Sequence, residues 1–184
     1  LDIPLVNHFS ASFAEKLEED TQNLNKPEGD SLARYGSGLL PVNHLPSKNK
    51  ASPVFSYPYE RTRSALEQMK ISNEWNECHG LKLKYVNPEN GGHAIPTMAT
   101  FMQLLPKSFS GNEYRSTDGT IYCVVEGEGE TTIGEKKYPW SKGDIFVAPP
   151  WAKTRHTTKN EAVLFSFSDR PVQEMLGLYR EKLY

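Results

Sequence analysis

Tyr114-Arg-Ser-Thr-Asp-Gly-Thr-Ile-Tyr-Cys-Val-Val-Glu-Gly127, followed after fifteen residues by Gly143-Asp-Ile-Phe-Val-Ala-Pro149-Pro-Trp-Ala-Lys-Thr154-Arg-His156, is the stretch that decides the fold. Its apolar runs, Ile121–Val125 and Ile145–Ala148, are strand-sized and rich in β-branched residues. Gly127 and Gly143 punctuate them, and fifteen residues between the two glycines suit one tight hairpin. The period of two extends outward in both directions, predicting strands at 82–87, 97–105, 119–126, 129–134, 144–148 and 162–168. Turn signals separate them at Asn90-Gly-Gly, Ser110-Gly-Asn, Gly127, Gly134 and Lys142-Gly-Asp. Many short strands without interleaved helices indicate a mainly β chain, a sandwich or jelly roll.

The framework resembles the two motifs of the cupin superfamily, whose jelly-roll barrel is a double-stranded β-helix. There the first motif offers two histidines one residue apart, usually a glutamate, and then a glycine turn. The second offers a glycine, five residues, a proline, and a histidine five positions further on. Gly127, Gly143 and Pro149 stand where the resemblance puts them. The ligands do not. The two first-motif histidine positions hold Tyr114 and Ser116, the glutamate position holds Thr120, and the second-motif histidine position holds Thr154. A mononuclear non-haem iron site needs about three imidazole or carboxylate donors with open positions beside them. Hydroxyls are poor donors to Fe(II) unless deprotonated, so no metal site and no catalytic residue is expected in this chain. His156 shares strand parity with Thr154 and points to the barrel interior. Two readings of it stand: a lone metal ligand or polar group of a small-molecule pocket, or a histidine hydrogen-bonded within the barrel mouth, which is the expected one. Tyr114, Ser116, Tyr122, Thr154 and His156 are the candidate pocket lining, with fillers of a closed interior as the plainer alternative. Arg115 and Arg155, of opposite parity, are expected in ion pairs on the outer face. His93 reads as a loop residue, and His8, His44 and His79 as isolated singles.

The flanks read differently. Residues 1–57 form an expected helix and extended arm: Ser12 with Glu15 is a capping-box pattern, and Phe9, Phe13 and Leu17 share a stripe, giving a helix near 10–20. Pro27, Pro41, Pro46 and Pro53 then leave no room for a long helix or strand. Leu32, Tyr35, Leu39, Leu40 and Val42 are too many apolar residues for a free linker, so the arm is expected to lie on a surface. Residues 58–184 form the expected cupin domain. It comprises a helix at 58–70 with Ala65, Leu66 and Met69 inward, a barrel over about 82–168, and a closing helix over about 170–183. Asp169 would cap that last helix, and Val172, Met175, Leu176, Tyr179 and Leu183 would form its stripe.

The balance of 21 basic and 23 acidic residues in 184, with formal net charge −2 and no basic block, gives no reason to expect a nucleic acid or an anionic membrane as partner. Cys78 and Cys123, without a CxxC or Cys/His cluster, read as reduced thiols in a cytoplasmic protein. No signal-peptide pattern opens the sequence. The abrupt apolar start at Leu1 suggests that residues precede it.

Longer blocks carry a closer resemblance. Pro27-Glu-Gly-Asp-Ser-Leu-Ala-Arg-Tyr-Gly36, Ser52-Pro-Val-Phe-Ser-Tyr-Pro-Tyr-Glu-Arg-Thr-Arg63, Leu81-Lys-Leu-Lys-Tyr-Val-Asn-Pro88, Phe101-Met-Gln-Leu-Leu-Pro106 and Leu164-Phe-Ser-Phe-Ser-Asp-Arg-Pro-Val-Gln173 look like the C-terminal half of gentisate 1,2-dioxygenase. The family consists of bicupins, typically tetramers, whose N-terminal cupin holds Fe(II) through three histidines. The resemblance implies a parent enzyme that cleaves gentisate with O2 to maleylpyruvate, with this chain as its ligand-poor structural half. Relatives acting on salicylate or 1-hydroxy-2-naphthoate share the pattern. A second reading, from another class, is a stand-alone non-catalytic cupin that binds a small aromatic acid or serves in assembly.

Overall fold

The computed structural model describes residues 27–45, 51–72 and 74–184. Two antiparallel five-stranded sheets face one another. The first runs β1 (Leu81–Lys84), β2 (Ala99–Leu105), β9 (Ala162–Ser168), β4 (Thr120–Glu126) and β7 (Ile145–Ala148). The second runs β10 (Glu181–Leu183), β3 (Tyr114–Ser116), β8 (Thr154–Thr157), β5 (Glu128–Ile133) and β6 (Lys136–Ser141). This is the cupin jelly roll that the motif spacing predicts. Five expected strands fall within about two residues of observed ones, while the expected strand at 82–87 stops at Lys84. A single bridge between Val86 and His93 follows it.

Alternation sets the two faces of the first sheet. Tyr122, Val124, Leu105, Ala162 and Leu164 point into the barrel with Trp140 and Ala148. On the opposite face, Leu81, Met102, Leu104 and Val163 pack under Leu66 of a helix that covers the β1 edge. Strands β2 and β9 are therefore buried on both faces, which is why they read as nearly unbroken apolar runs. Strand β7 has no such cover: Ile145 and Val147 are 69% and 52% exposed.

Three helices are described: α1 (Asp30–Tyr35), α2 (Tyr59–Ser72) and α3 (Arg170–Met175). Leu66 is the one fully buried residue of α2, a burial that contributes roughly 1.5–3 kcal/mol. Ala65 and Met69, expected inward, are exposed, because the helix sits over the sheet's edge and presents only a narrow stripe to it. Polar contacts do the rest of the anchoring: Arg63 reaches Glu126 at 3.2 Å, Glu161 at 2.9 Å and Glu67, while the Tyr59 hydroxyl donates to Glu126. In the arm, α1 is a single short helix between Pro27 and Pro41. Its Ser31 hydroxyl accepts from the Phe55 amide at 3.0 Å, and Leu39, Leu40 and Val42 are exposed in the single chain, so they are not covered by its own barrel. The helix expected near 10–20 lies outside the described residues.

The closing helix is shorter than its apolar stripe predicted. It ends at Met175; Gly177 then takes a left-handed φ of 70°, and the Leu178 amide donates back to the Gln173 carbonyl at 2.8 Å. The chain turns and returns as β10 alongside β3, leaving Met175 and Leu176 67% and 65% exposed. Asp169 precedes α3 without a side-chain cap; its carboxylate accepts instead from the Gly119 amide at 3.1 Å and the Gln173 side chain at 2.9 Å. Strands β3, β6, β8 and β10 were not in the predicted set. They are three to six residues long, and β6 is a polar edge strand carrying Pro139, a position where a missing N–H costs no ladder bond.

Candidate functional site

Inward-facing positions of β3, β4, β5, β6, β7 and β8 converge in the barrel interior. His156 on β8 is fully buried and is the hub. Its Nδ1 lies 2.8 Å from the Thr131 hydroxyl, and its Nε2 lies 3.2 Å from the Tyr114 hydroxyl. The Trp140 indole N–H donates to the same Thr131 oxygen at 2.8 Å, and the Tyr114 and Tyr122 hydroxyls are 2.6 Å apart. An indole can only donate. Thr131 uses one of its two lone pairs for that indole, its hydroxyl meets Nδ1, Nε2 meets Tyr114, and Tyr114 meets Tyr122. One hydrogen-bonded chain thus joins Trp140, Thr131, His156, Tyr114 and Tyr122.

The rings fill the space around that chain. Tyr122 stacks on Phe146 at 5.0 Å between centroids, Phe146 is near-parallel to Trp140 at 6.2 Å, and Tyr122 meets His156 edge-on at 5.1 Å. Burial pushes the His156 imidazole down to about 3, with a smaller contribution from the Lys82 charge, so the ring is neutral at physiological pH. Burial does the same to Tyr114 and Tyr122 in the other sense, raising both phenols, Tyr122 to about 12.

These donors do not fit Fe(II). Both nitrogens of His156 are engaged by hydroxyls, its neighbours are phenols, a threonine and carbon rings, and no group of three His, Cys, Asp or Glu stands together among the described residues.

All five expected lining residues are buried. The structure joins Tyr114, Tyr122 and His156 and leaves the other two outside the chain. The Thr154 hydroxyl donates to the Ala152 carbonyl at 3.2 Å, and Ser116 turns to Asp118. Burial alone would push the Asp118 carboxyl up, but the hydroxyls of Ser116 and Ser168 and the Arg170 guanidinium, 3.3 Å away, more than offset it and hold it below its usual range. Arg115 forms no ion pair among the described residues. Its guanidinium lies 4.5 Å from the Trp151 ring instead, because β10 and the β7–β8 turn place aromatic surface where water was expected. Arg155 likewise has no ion pair among the described residues.

Sequence reasoning missed Thr131 and Phe146, whose parity was readable but whose partnership with His156 was not, and Trp140, which lies on the unpredicted strand β6. It also missed His79. That ring meets Tyr114 edge-on at 4.3 Å, and burial followed by the Lys82 charge lowers its pKa to about 2. His93, by contrast, is the loop residue expected, 2.9 Å from Glu174.

The comparisons agree with this architecture. The family model for the cupin domain matches residues 100–164. Gentisate 1,2-dioxygenase 1 of Aquipseudomonas alcaligenes is 52% identical over 181 residues, covering 98% of this chain and 52% of that protein. Over nearly its whole length the chain is thus similar to a gentisate 1,2-dioxygenase. A 5-aminosalicylate 1,2-dioxygenase of a Comamonas species is 36% identical over 186 residues, covering 100% of this chain and 49% of the relative. Among solved structures, salicylate 1,2-dioxygenase of Pseudoaminobacter salicylatoxidans with gentisate superposes with a TM-score of 0.82 at 27% identity, over 99% of this chain and 51% of the other. The chain thus spans about half the length of the curated relatives it matches.

Proposed function

We propose that this chain is the C-terminal, ligand-poor cupin of a gentisate 1,2-dioxygenase-type enzyme, with residues 58–184 as the cupin domain and 1–57 as the arm joining it to the rest. The parent would be an Fe(II)-dependent oxidoreductase that opens the ring of gentisate with O2 to give maleylpyruvate, working as an oligomer, a tetramer by analogy with the family. Its iron would sit in the other cupin. The single observation that carries this reading is the interior of the barrel, where His156 spends both ring nitrogens on Thr131 and Tyr114. The identity of 52% to a gentisate dioxygenase over nearly the whole chain supports the choice of parent. In this division of labour the barrel provides a rigid, closed support, and its outer surfaces face the partner half.

The test is iron content and gentisate-dependent oxygen uptake of the 184-residue chain after anaerobic Fe(II) loading, beside the parent protein. No bound iron and no uptake by the chain, with both present in the parent, is the expected result. Stoichiometric iron and turnover in the chain alone would overturn the proposal.

A further inference from the structure

Outside the barrel, α1, the first two turns of α2 and the β1 edge enclose a cleft of about 430 Å³, within the size range of small-molecule sites. Three tyrosines shape it. The Tyr57 hydroxyl donates to the Val86 carbonyl at 2.7 Å and lies 2.6 Å from the Ser52 hydroxyl. The Tyr85 hydroxyl donates to Thr62 at 3.1 Å, and the two rings meet edge-on at 5.4 Å. Their polar tips are thus occupied and their carbon surfaces are fixed in place. Tyr35 of α1 closes the opposite side.

Two cations, Arg61 and Lys84, line the same cleft, and among the described residues no aspartate or glutamate does. Arg61 gives one N–H to the Gly36 carbonyl at 3.1 Å, and neither side chain has a carboxylate within 4.0 Å among the described residues. This contrasts with the neighbouring cations of α2, Arg63 and Lys70, each of which is paired with glutamates. An apolar cleft walled by locked aromatic rings, with two positive charges and, among the described residues, no negative one, matches a planar apolar body bearing one anionic group.

The geometry points to this cleft as a binding site for an aromatic carboxylate, separate from the barrel interior. The ring would lie against Tyr57 and Tyr85, and the carboxylate would accept from Arg61 and Lys84. The inference does not depend on where the parent's iron sits.

The test uses the full 184-residue chain, treated with a chelator, titrated with benzoate and followed by two-dimensional NMR. Saturable binding on the order of millimolar or tighter is expected, with shifts centred on Tyr57 and Tyr85. Benzamide, the neutral isostere, and inorganic phosphate, the anion without a ring, are each expected to bind at least about tenfold more weakly. Lys84→Met, which removes a side chain with no ion pair to break, and Arg61→Gln are each expected to weaken benzoate about tenfold while leaving the melting temperature of the Lys84→Met variant unchanged. No saturable binding, equal affinity for benzamide or phosphate, unchanged affinity in both variants, or shifts centred on Trp140 would each overturn the inference.

Discussion

Inside the barrel, Trp140, Thr131, His156, Tyr114 and Tyr122 spend their polar atoms on one another, and Tyr122 stacks on Phe146 beside them. In the cleft outside, Tyr57 and Tyr85 also spend their hydroxyls locally and meet edge-on, but they line an open cleft, and Arg61 and Lys84 beside them have no carboxylate partner among the described residues. The residue types overlap; the difference is what the charges face. A neutral imidazole closed in by phenols lends a fold rigidity and uniqueness. An unpaired cation beside a fixed aromatic wall lends it affinity for something else. In this chain the polar side chains of the barrel interior are paired with one another, and Arg61 and Lys84, without a carboxylate partner among the described residues, stand outside it.

If the interior is core, its hub must carry stability. His156→Ala removes a buried ring and strands the Thr131 and Tyr114 hydroxyls, so a loss of about 3–5 kcal/mol is expected in urea unfolding followed by circular dichroism. A loss below about 1 kcal/mol would mean the interior is looser than its hydrogen bonds suggest.

The same histidines set an acid limit. The His156 and His79 pKa values lie at about 3 and about 2 in the folded chain against 6.5 unfolded, through burial, so the unfolded state binds more protons below pH 6.5. Their contribution is complete above about pH 6.5 and is lost as pH falls toward 3, at up to about 1.4 kcal/mol per pH unit for each histidine. Unfolding free energies measured between pH 7 and 4 should show that slope. His156→Gln should remove about half of it, and an unchanged slope would show that other groups carry the acid sensitivity.

The cleft responds to a different substitution. Arg63 ties α2, one wall of the cleft, to Glu126 and Glu161 on the barrel. These pairs are partly exposed, so Arg63→Ala is expected to cost only about 1 kcal/mol. Amide exchange should quicken in α2 and leave β4 and β8 protected; uniform quickening would deny that the two regions are separable.

The smallest effect concerns Gln103, fully buried on β2 with neither amide atom partnered among the described residues. Replacement by leucine removes two desolvated polar atoms from the core face and is expected to raise stability by up to about 1 kcal/mol in the same urea assay. A clear loss would assign the amide a partner inside the barrel.

Legibility followed locality. Strands β4 and β9 were readable because alternation and apolar runs are local signals, and the emptied ligand positions were readable because Gly127 and Pro149 index them. Gly127 has a local reason of its own: its φ is 81°, and a Cβ there would meet the Glu161 carbonyl oxygen at 2.6 Å. The closing helix was overextended because its stripe of apolar residues runs through Gly177, and the helix-stop signal was the better guide. The cleft was hidden altogether, since its walls come from residues 32–38, 54–65 and 83–88 and nothing in any one segment marks it.

By itself, then, the sequence determined a mainly β jelly roll with turns at its glycines; that tyrosine, serine and threonine stand where metal-binding cupins carry imidazole is what its resemblance to that superfamily implies. The first follows from backbone sterics and side-chain patterning, which each residue carries wherever it sits. Only the tertiary structure decided that His156 meets Thr131, 25 residues away, and Tyr114, 42 residues away, and that Arg61 and Lys84 share one cleft. Those meetings depend on strand register and on where α2 crosses the sheet edge, which are set by the sum of many weak contacts across the whole chain.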